Sequence, residues 1–221
     1  MAESKIEWTH RPGTIGRTWN PVVGCSKVSP GCDHCYALRQ THRLQHSPSY
    51  QGLTRMMVGP QWTGEVRCLR ERLEEPLAWQ KSSTVFVCSM SDLFHSKVPW
   101  DFIVQIFNRM CMADRHTYQV LTKRPGRMAH FAEHVWPKHW PGAGWPANVW
   151  AGTSVESQRY APRLDVLARV PAKVRFVSVE PMLGPVDLEK WLMLAHHDWW
   201  KESDQHILTD GPRAVLDWVI A

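Results

Sequence analysis

Cys25, Cys32 and Cys35 fall inside the stretch GCSKVSPGCDHCYA, so three of the chain's six cysteines share eleven residues. Thiols spaced so closely suit a common metal or redox centre, because a chain of 221 residues buries enough surface to fold without disulfide staples. Asp33 is placed to cap a helix over HCYALRQTHRLQH, with Cys32 and Cys35 flanking its first turn. The free N–H groups and dipole of such a turn favour thiolate. Pro30 and Gly31 supply the turn that brings Cys25 back toward the other two. Three is the informative number. Structural zinc takes four ligands and a cubane iron–sulfur cluster normally takes four thiolates, so a three-cysteine cubane leaves one iron open to a small molecule. Zinc would need a fourth ligand, from His34 or His42 nearby or from the distant Cys68. Cys68 and Cys88 otherwise lie in apolar strand-like runs and Cys111 ends an amphipathic helix pattern, and all three are expected to be packed thiols.

The elements that must position this loop can be outlined from hydrophobic period. Short β-branched runs, TVFVCS (84–89), TYQVLT (117–122), NVWAGT (148–153) and KVRFVSV (173–179), alternate with helical patterns. The clearest helix follows Pro99, where Phe102, Ile103, Ile106, Phe107 and Met110 recur at helical spacing. Helical patterns are also expected in RPGRMAHFAEHV, SQRYAPRLDVLARV and PMLGPVDLEKWLML. This alternation predicts βα units around a mainly parallel sheet, open or closed, in a single domain spanning residues 1–221. AVLDWVIA has the composition of a last buried strand with no covering helix after it, so the chain is expected to be a truncated form of a longer domain.

The strand ends are polar. Ser89, Ser91 and Asp92 follow the first run, Thr122, Lys123 and Arg124 the second, Thr153, Ser154 and Glu156 the third, and Glu180 the fourth. Parallel α/β sheets bind ligands at their carboxyl ends. Helix capping accounts for Ser91 or Ser154, but poorly for Lys123 and Glu180, since a cation is disfavoured at a helix start. Asp92 and His95 could form a general-base pair, and His196 and His197 read as surface residues.

Composition narrows the setting. The net charge of +5 and pI near 9.0 admit a nucleic-acid partner, although no Lys/Arg run is present. Many of the thirteen tryptophans lie beside prolines, as in VWPKHWPGAGWP, which reads as an ordered aromatic loop packed on the core. With no signal-like start and no long apolar run, the protein is expected to be cytoplasmic, with no membrane partner.

Taken in order, KIEWTH, TWNPVVGCSKVSPGCDHCYA, FVCSMSDLFH, TYQVLTKRP, NVWAGTSVES, FVSVEPMLGPVDL and LDWVIA resemble a phage-associated family named for the gene products gp thirty-seven and gp sixty-eight and grouped with radical S-adenosylmethionine (SAM) proteins. The resemblance spans nearly the whole chain. It implies a partial (βα)6 TIM-like barrel, truncated here at the last strand, with the cysteine loop after the first strand. It further implies a [4Fe-4S] cluster on Cys25, Cys32 and Cys35, and SAM as cosubstrate. Ser89, Ser91 and Asp92 would hold the SAM amino group, Lys123, Thr153, Ser154 and Glu156 would lie near its carboxylate or ribose, and Glu180 near the adenosine or substrate. An external electron donor and a nucleic-acid or nucleoside substrate go with this reading. Two departures stand out: six residues, rather than the common three, separate the first two cysteines, and His34 precedes the third. The contrasting expectation is a zinc-stabilised nucleic-acid-binding phage protein without catalysis.

Overall fold

The computed structural model describes residues 3–192 and 216–220. From the N-terminus the chain forms β1 (Ile15–Trp19), β2 (Val22–Val23), a 3-10 turn at Pro30–His34, α1 (Tyr36–Arg43), β3 (Thr54–Met56), β4 (Pro60–Trp62) and β5 (Arg67–Cys68). The regular part follows: β6 (Ser83–Val87), α2 (Trp100–Met112), β7 (Thr117–Thr122), α3 (Pro125–His130), α4 (Trp136–His139), β8 (Val149–Ser154), α5 (Arg163–Leu167), β9 (Arg175–Ser178), α6 (Glu189–Leu192) and β10 (Trp218–Ile220).

Six strands form one sheet in the order β1-β6-β7-β8-β9-β10, and every neighbouring pair is parallel. The expected parallel α/β organisation is therefore present. The sheet is open, with β1 and β10 as its edges, and no closed barrel forms among the described residues. β6 is buried along its whole length, as a strand covered on both faces must be. On one face Val85, Val87, Val120, Ala151 and Val177 pack on α2 residues such as Ile103, Ile106 and Phe107 in the main core. On the other face one indole, Trp8, contacts Phe86 on β6, Phe176 on β9 and Trp218 on β10, with ring centroids 4.5, 6.4 and 6.5 Å away. A flat sheet would hold β6 and β10 about 19 Å apart, so the sheet curls strongly around Trp8.

α2 forms where the sequence places it, with Phe102, Ile103, Ile106, Phe107 and Met110 all buried and Pro99 before its first turn. The tryptophan-rich loop packs as expected: Trp136 and Trp145 are buried against Phe107 and Phe131. Two local expectations are corrected. Asp33 caps no helix; it lies inside the 3-10 turn and pairs with Lys27 at 2.6 Å, and Cys35 takes the N-cap position of α1. The helix expected from Pro181 is confined to Glu189–Leu192 within the described residues, because the prolines and glycine of PMLGP deny the chain continuous helical hydrogen bonding. His196 and His197 lie outside the described residues.

A second, smaller core holds Val23, Ala37, Tyr50, Leu53, Leu69 and Met90, and it packs α1 beside the two short antiparallel pairs β2–β5 and β3–β4. This core carries the cysteine loop.

Candidate functional site

Gly24 starts the cysteine loop. It has φ +87°, and a Cβ there would lie 2.3 Å from the Glu65 carbonyl oxygen, so glycine alone is accommodated. Gly24 also bridges to Ser91, which ties the loop to the turn that follows β6. Cys25, Cys32 and Cys35 are free thiols, all partly exposed, and all three line one cavity of about 830 Å³. Burial and the Asp92 charge push the Cys25 thiol up to about 12, against the opposing pull of Arg124, whose Nη1 lies 3.9 Å from its sulfur. Burial also raises Cys35, partly offset by the Ala37 and Leu38 N–H groups at the start of α1. The expected thiolate preference of a helix start is thus outweighed by desolvation at Cys35. Cys32 Sγ accepts a hydrogen bond from Val28 N at 3.5 Å. Among the described residues no group of three His, Cys, Asp or Glu side chains is arranged to hold a single metal ion.

The far wall of the cavity is built from the ends of β6, β7, β8 and β9, with Cys88, Leu121, Ser154 and Ser178 facing it. Asp92 is buried there and its two oxygens accept four bonds: from Phe94 N (2.9 Å), Thr122 Oγ1 (2.7 Å), Lys123 N (3.2 Å) and Arg124 Nη1 (2.8 Å). Arg124 in turn donates to the Ser26 carbonyl and hydroxyl oxygens at 3.1 and 3.0 Å, joining the end of β7 to the residue after Cys25. His95 contacts the same hydroxyl. Its Nδ1 accepts from Lys97 N at 3.1 Å, which leaves Nε2 to donate to Ser26 Oγ at 2.8 Å. Burial and then the Arg124 charge lower its pKa to about 4, so it is neutral. Asp92 and His95 therefore do not form the expected pair through their side chains.

Glu156 organises the other side. It is wholly buried and is held by Lys123, by Ser29 Oγ at 2.5 Å and by Arg163 Nη1 at 2.9 Å. Burial opposes its ionisation, but the hydrogen bonds from Lys123 and Ser29 and the charges of Lys123 and Arg163 hold it below the ordinary glutamate range. Gly31 rests directly on it: a Cβ at Gly31 would lie 2.6 Å from Glu156 Cγ. The cysteine loop is thus clamped on both sides by ion pairs rooted at strand ends.

Of the residues expected at the site, Ser89, Ser91, Asp92, Lys123, Ser154 and Glu180 line the cavity together with the three cysteines. Ser89 Oγ donates to Asn20 Oδ1 at 3.1 Å and Ser91 Oγ to the Val22 carbonyl at 2.8 Å. Thr153 does not line the cavity; strand alternation puts it on the face of Ala151 and Val149, and its hydroxyl donates to the Thr122 carbonyl at 2.8 Å. Glu156 sits beneath the cysteine loop and is covered by it. Cys88, expected to be only a packed thiol, is buried yet borders the cavity, in a left-handed conformation with φ 59°. Sequence reasoning missed Ser29 because its pairing with Glu156 is long-range, and Arg163 because it sits within a helical pattern after the strand end and not at the end itself, although Arg124 was visible as a second cation in the LTKRP strand end.

A family model described as Protein of unknown function (DUF5131) matches residues 3–221, and the chain belongs to that family. No curated protein and no solved structure matches it.

Proposed function

We propose that this member of the DUF5131 family is a radical SAM enzyme, in which Cys25, Cys32 and Cys35 hold a [4Fe-4S] cluster and SAM binds beside it to act on a nucleic-acid-related substrate. A partial (βα)6 barrel of the radical SAM type belongs to the same reading, favoured by strands that add in chain order to one edge and curl around Trp8. The observation that carries the proposal is that three free thiols from one loop face the same cavity as the polar ends of four parallel strands.

The donor set fits the group. A cubane binds each thiolate through a different iron, so it does not ask three sulfurs to meet at one point, whereas a single zinc does. A volume of about 830 Å³ is also of the size that takes small-molecule ligands. When bound, the cluster and SAM would supply one-electron reduction and a hydrogen-abstracting radical, with electrons from an external donor.

The chain's own residues divide the remaining work. Arg124 is paired with Asp92, and Lys123 and Arg163 share Glu156, so these five groups are engaged in positioning the cysteine loop. Glu180 is exposed at the cavity wall and makes no side-chain ion pair among the described residues. Its carboxylate can accept bonds from an amino group or ribose hydroxyls, with the Ser154 hydroxyl nearby as a second polar group.

The test is anaerobic reconstitution with iron and sulfide, followed by visible absorption before and after SAM. Bound iron and sulfide whose spectrum responds to SAM, lost in Cys32→Ala with far-UV circular dichroism retained, is the expected result. One tightly held zinc, whose removal unfolds the domain, would overturn it in favour of a structural clamp.

A further inference from the structure

Beside the cysteine cavity lies a second concavity of about 540 Å³, and α1 forms one wall of it. Tyr36, Arg39, Gln40 and Arg43 stand at i, i+3, i+4 and i+7, so they share one face of that helix, while Ala37, Leu38 and Thr41 are buried behind them. Lys5 faces them from the N-terminal segment. Among the described residues no acidic side chain lines this groove. Lys5, Arg39 and Arg43 make no side-chain hydrogen bond or ion pair among the described residues. They differ in this from Lys123, Arg124 and Arg163, each of which has a carboxylate partner.

Tyr36 separates the two concavities. Lys5, Ile6 and Tyr36 line both. The tyrosine hydroxyl donates to the Ser89 carbonyl at 2.8 Å, which fixes the ring at the mouth of the cysteine cavity, and the residue as a whole remains 54% exposed to solvent.

The geometry points to a groove that binds single-stranded nucleic acid, with phosphates on Lys5, Arg39 and Arg43 and a base against Tyr36. Glu3 and Glu7 flank Lys5 in the chain, but cations that make no ion pair among the described residues have lost no solvation to a protein partner and are available to a polyanion. Arg39 and Arg43 lie one turn apart, about 6 Å along the helix axis, which suits consecutive phosphates of an extended strand. An exposed aromatic ring accepts any base face but needs that base unstacked, which favours a single strand over a duplex. The shared wall gives a base a short route into the cavity where chemistry is proposed. This inference rests on the proposed function only in taking that cavity as catalytic; the groove binds its strand whatever the cysteines hold.

The experiment is fluorescence anisotropy of a short labelled oligothymidylate with the full chain, before and after iron–sulfur reconstitution. Three phosphate contacts give a log–log salt slope of about −2, a loss of about 20-fold between 50 and 200 mM salt. Arg39→Ala and Arg43→Ala should each make the slope shallower by about 0.7. Tyr36→Ala should weaken binding by about 5- to 150-fold, and Tyr36→Phe, which keeps the ring, should not. Equal competition by polyphosphate, polyglutamate or duplex, or full affinity in Tyr36→Ala, would overturn the assignment. Loss of cluster formation with strand binding intact would overturn the proposed function and leave this inference standing, and absence of binding with an intact cluster would do the reverse.

Discussion

Glu156→Ala removes the carboxylate that joins Lys123, Arg163, Ser29 and the cysteine loop. The side chain is 0% exposed and its two cations are 19% and 12% exposed, so the substitution strands two largely buried positive charges. Breaking a buried pair by deleting one partner costs about 3–5 kcal/mol, and the residual solvent access of Lys123 and Arg163 places this case near about 3 kcal/mol. For a chain of this size that corresponds to a fall in Tm of about 6–12 °C. Glu156→Gln preserves the shape and part of the hydrogen bonding, and its loss should be about half as large. Thermal unfolding followed by far-UV circular dichroism reads both. Iron retained after reconstitution should fall in Glu156→Ala as well, because Ser29 and Gly31 lose what holds them. A Tm within about 2 °C of the parent protein, with iron content unchanged, would refute the view that Glu156 clamps the cysteine loop.

Two further outcomes follow from the same geometry. Gly31→Ala should cost about 1–3 kcal/mol, since its Cβ would press on a Glu156 side chain that three partners hold in place. In the Glu156→Ala background that penalty should largely vanish, and additive losses in the double-mutant cycle would contradict the contact. His95 makes stability depend on pH. Its folded pKa of about 4 lies below the ordinary 6.5, so as pH falls the unfolded chain takes up the proton first. Stability contributed by the neutral ring is complete above about 6.5 and declines toward pH 4, by at most about 3 kcal/mol. Urea titrations across that window should show the slope, and His95→Asn should flatten it; an unchanged slope in the variant would assign it elsewhere. Glu156, with its pKa also held down, loses stability in the same direction as pH falls, but only from the ordinary glutamate range downward, so its effect begins where that of His95 is already well advanced.

The elements that local pattern describes well are those whose apolar period is strong. β7 was visible from its β-branched residues, and α2 from the five apolar residues on one stripe. The early strands were not, because β1 carries an arginine and a threonine amid its apolar residues and β2 and β5 are two residues each, too short to show a period. The candidate site was legible in part. Ser89, Lys123 and Glu180 were noticed because polar groups at strand ends stand out against apolar runs, and the cysteine triad because of its spacing. Their partners were not legible. Asp92 and Glu156 looked like ligand-binding carboxylates, yet each is occupied by cations and hydroxyls, some brought from more than thirty residues away.

By itself, then, the amino-acid order determined the strands from β6 to β10, where the helix after Pro99 lies, that polar groups terminate four strands, and that three thiols share one loop. Local periodicity and spacing are properties of the chain alone. Only the tertiary structure decided that Thr153 points to the helix-covered face, that Arg124 and Lys123 are paired with carboxylates, that Gly31 rests on Glu156, and that α1 turns an unpaired basic face toward a groove. These depend on parallel register, strand curl and desolvation, which arise when distant segments pack and exclude water from between them.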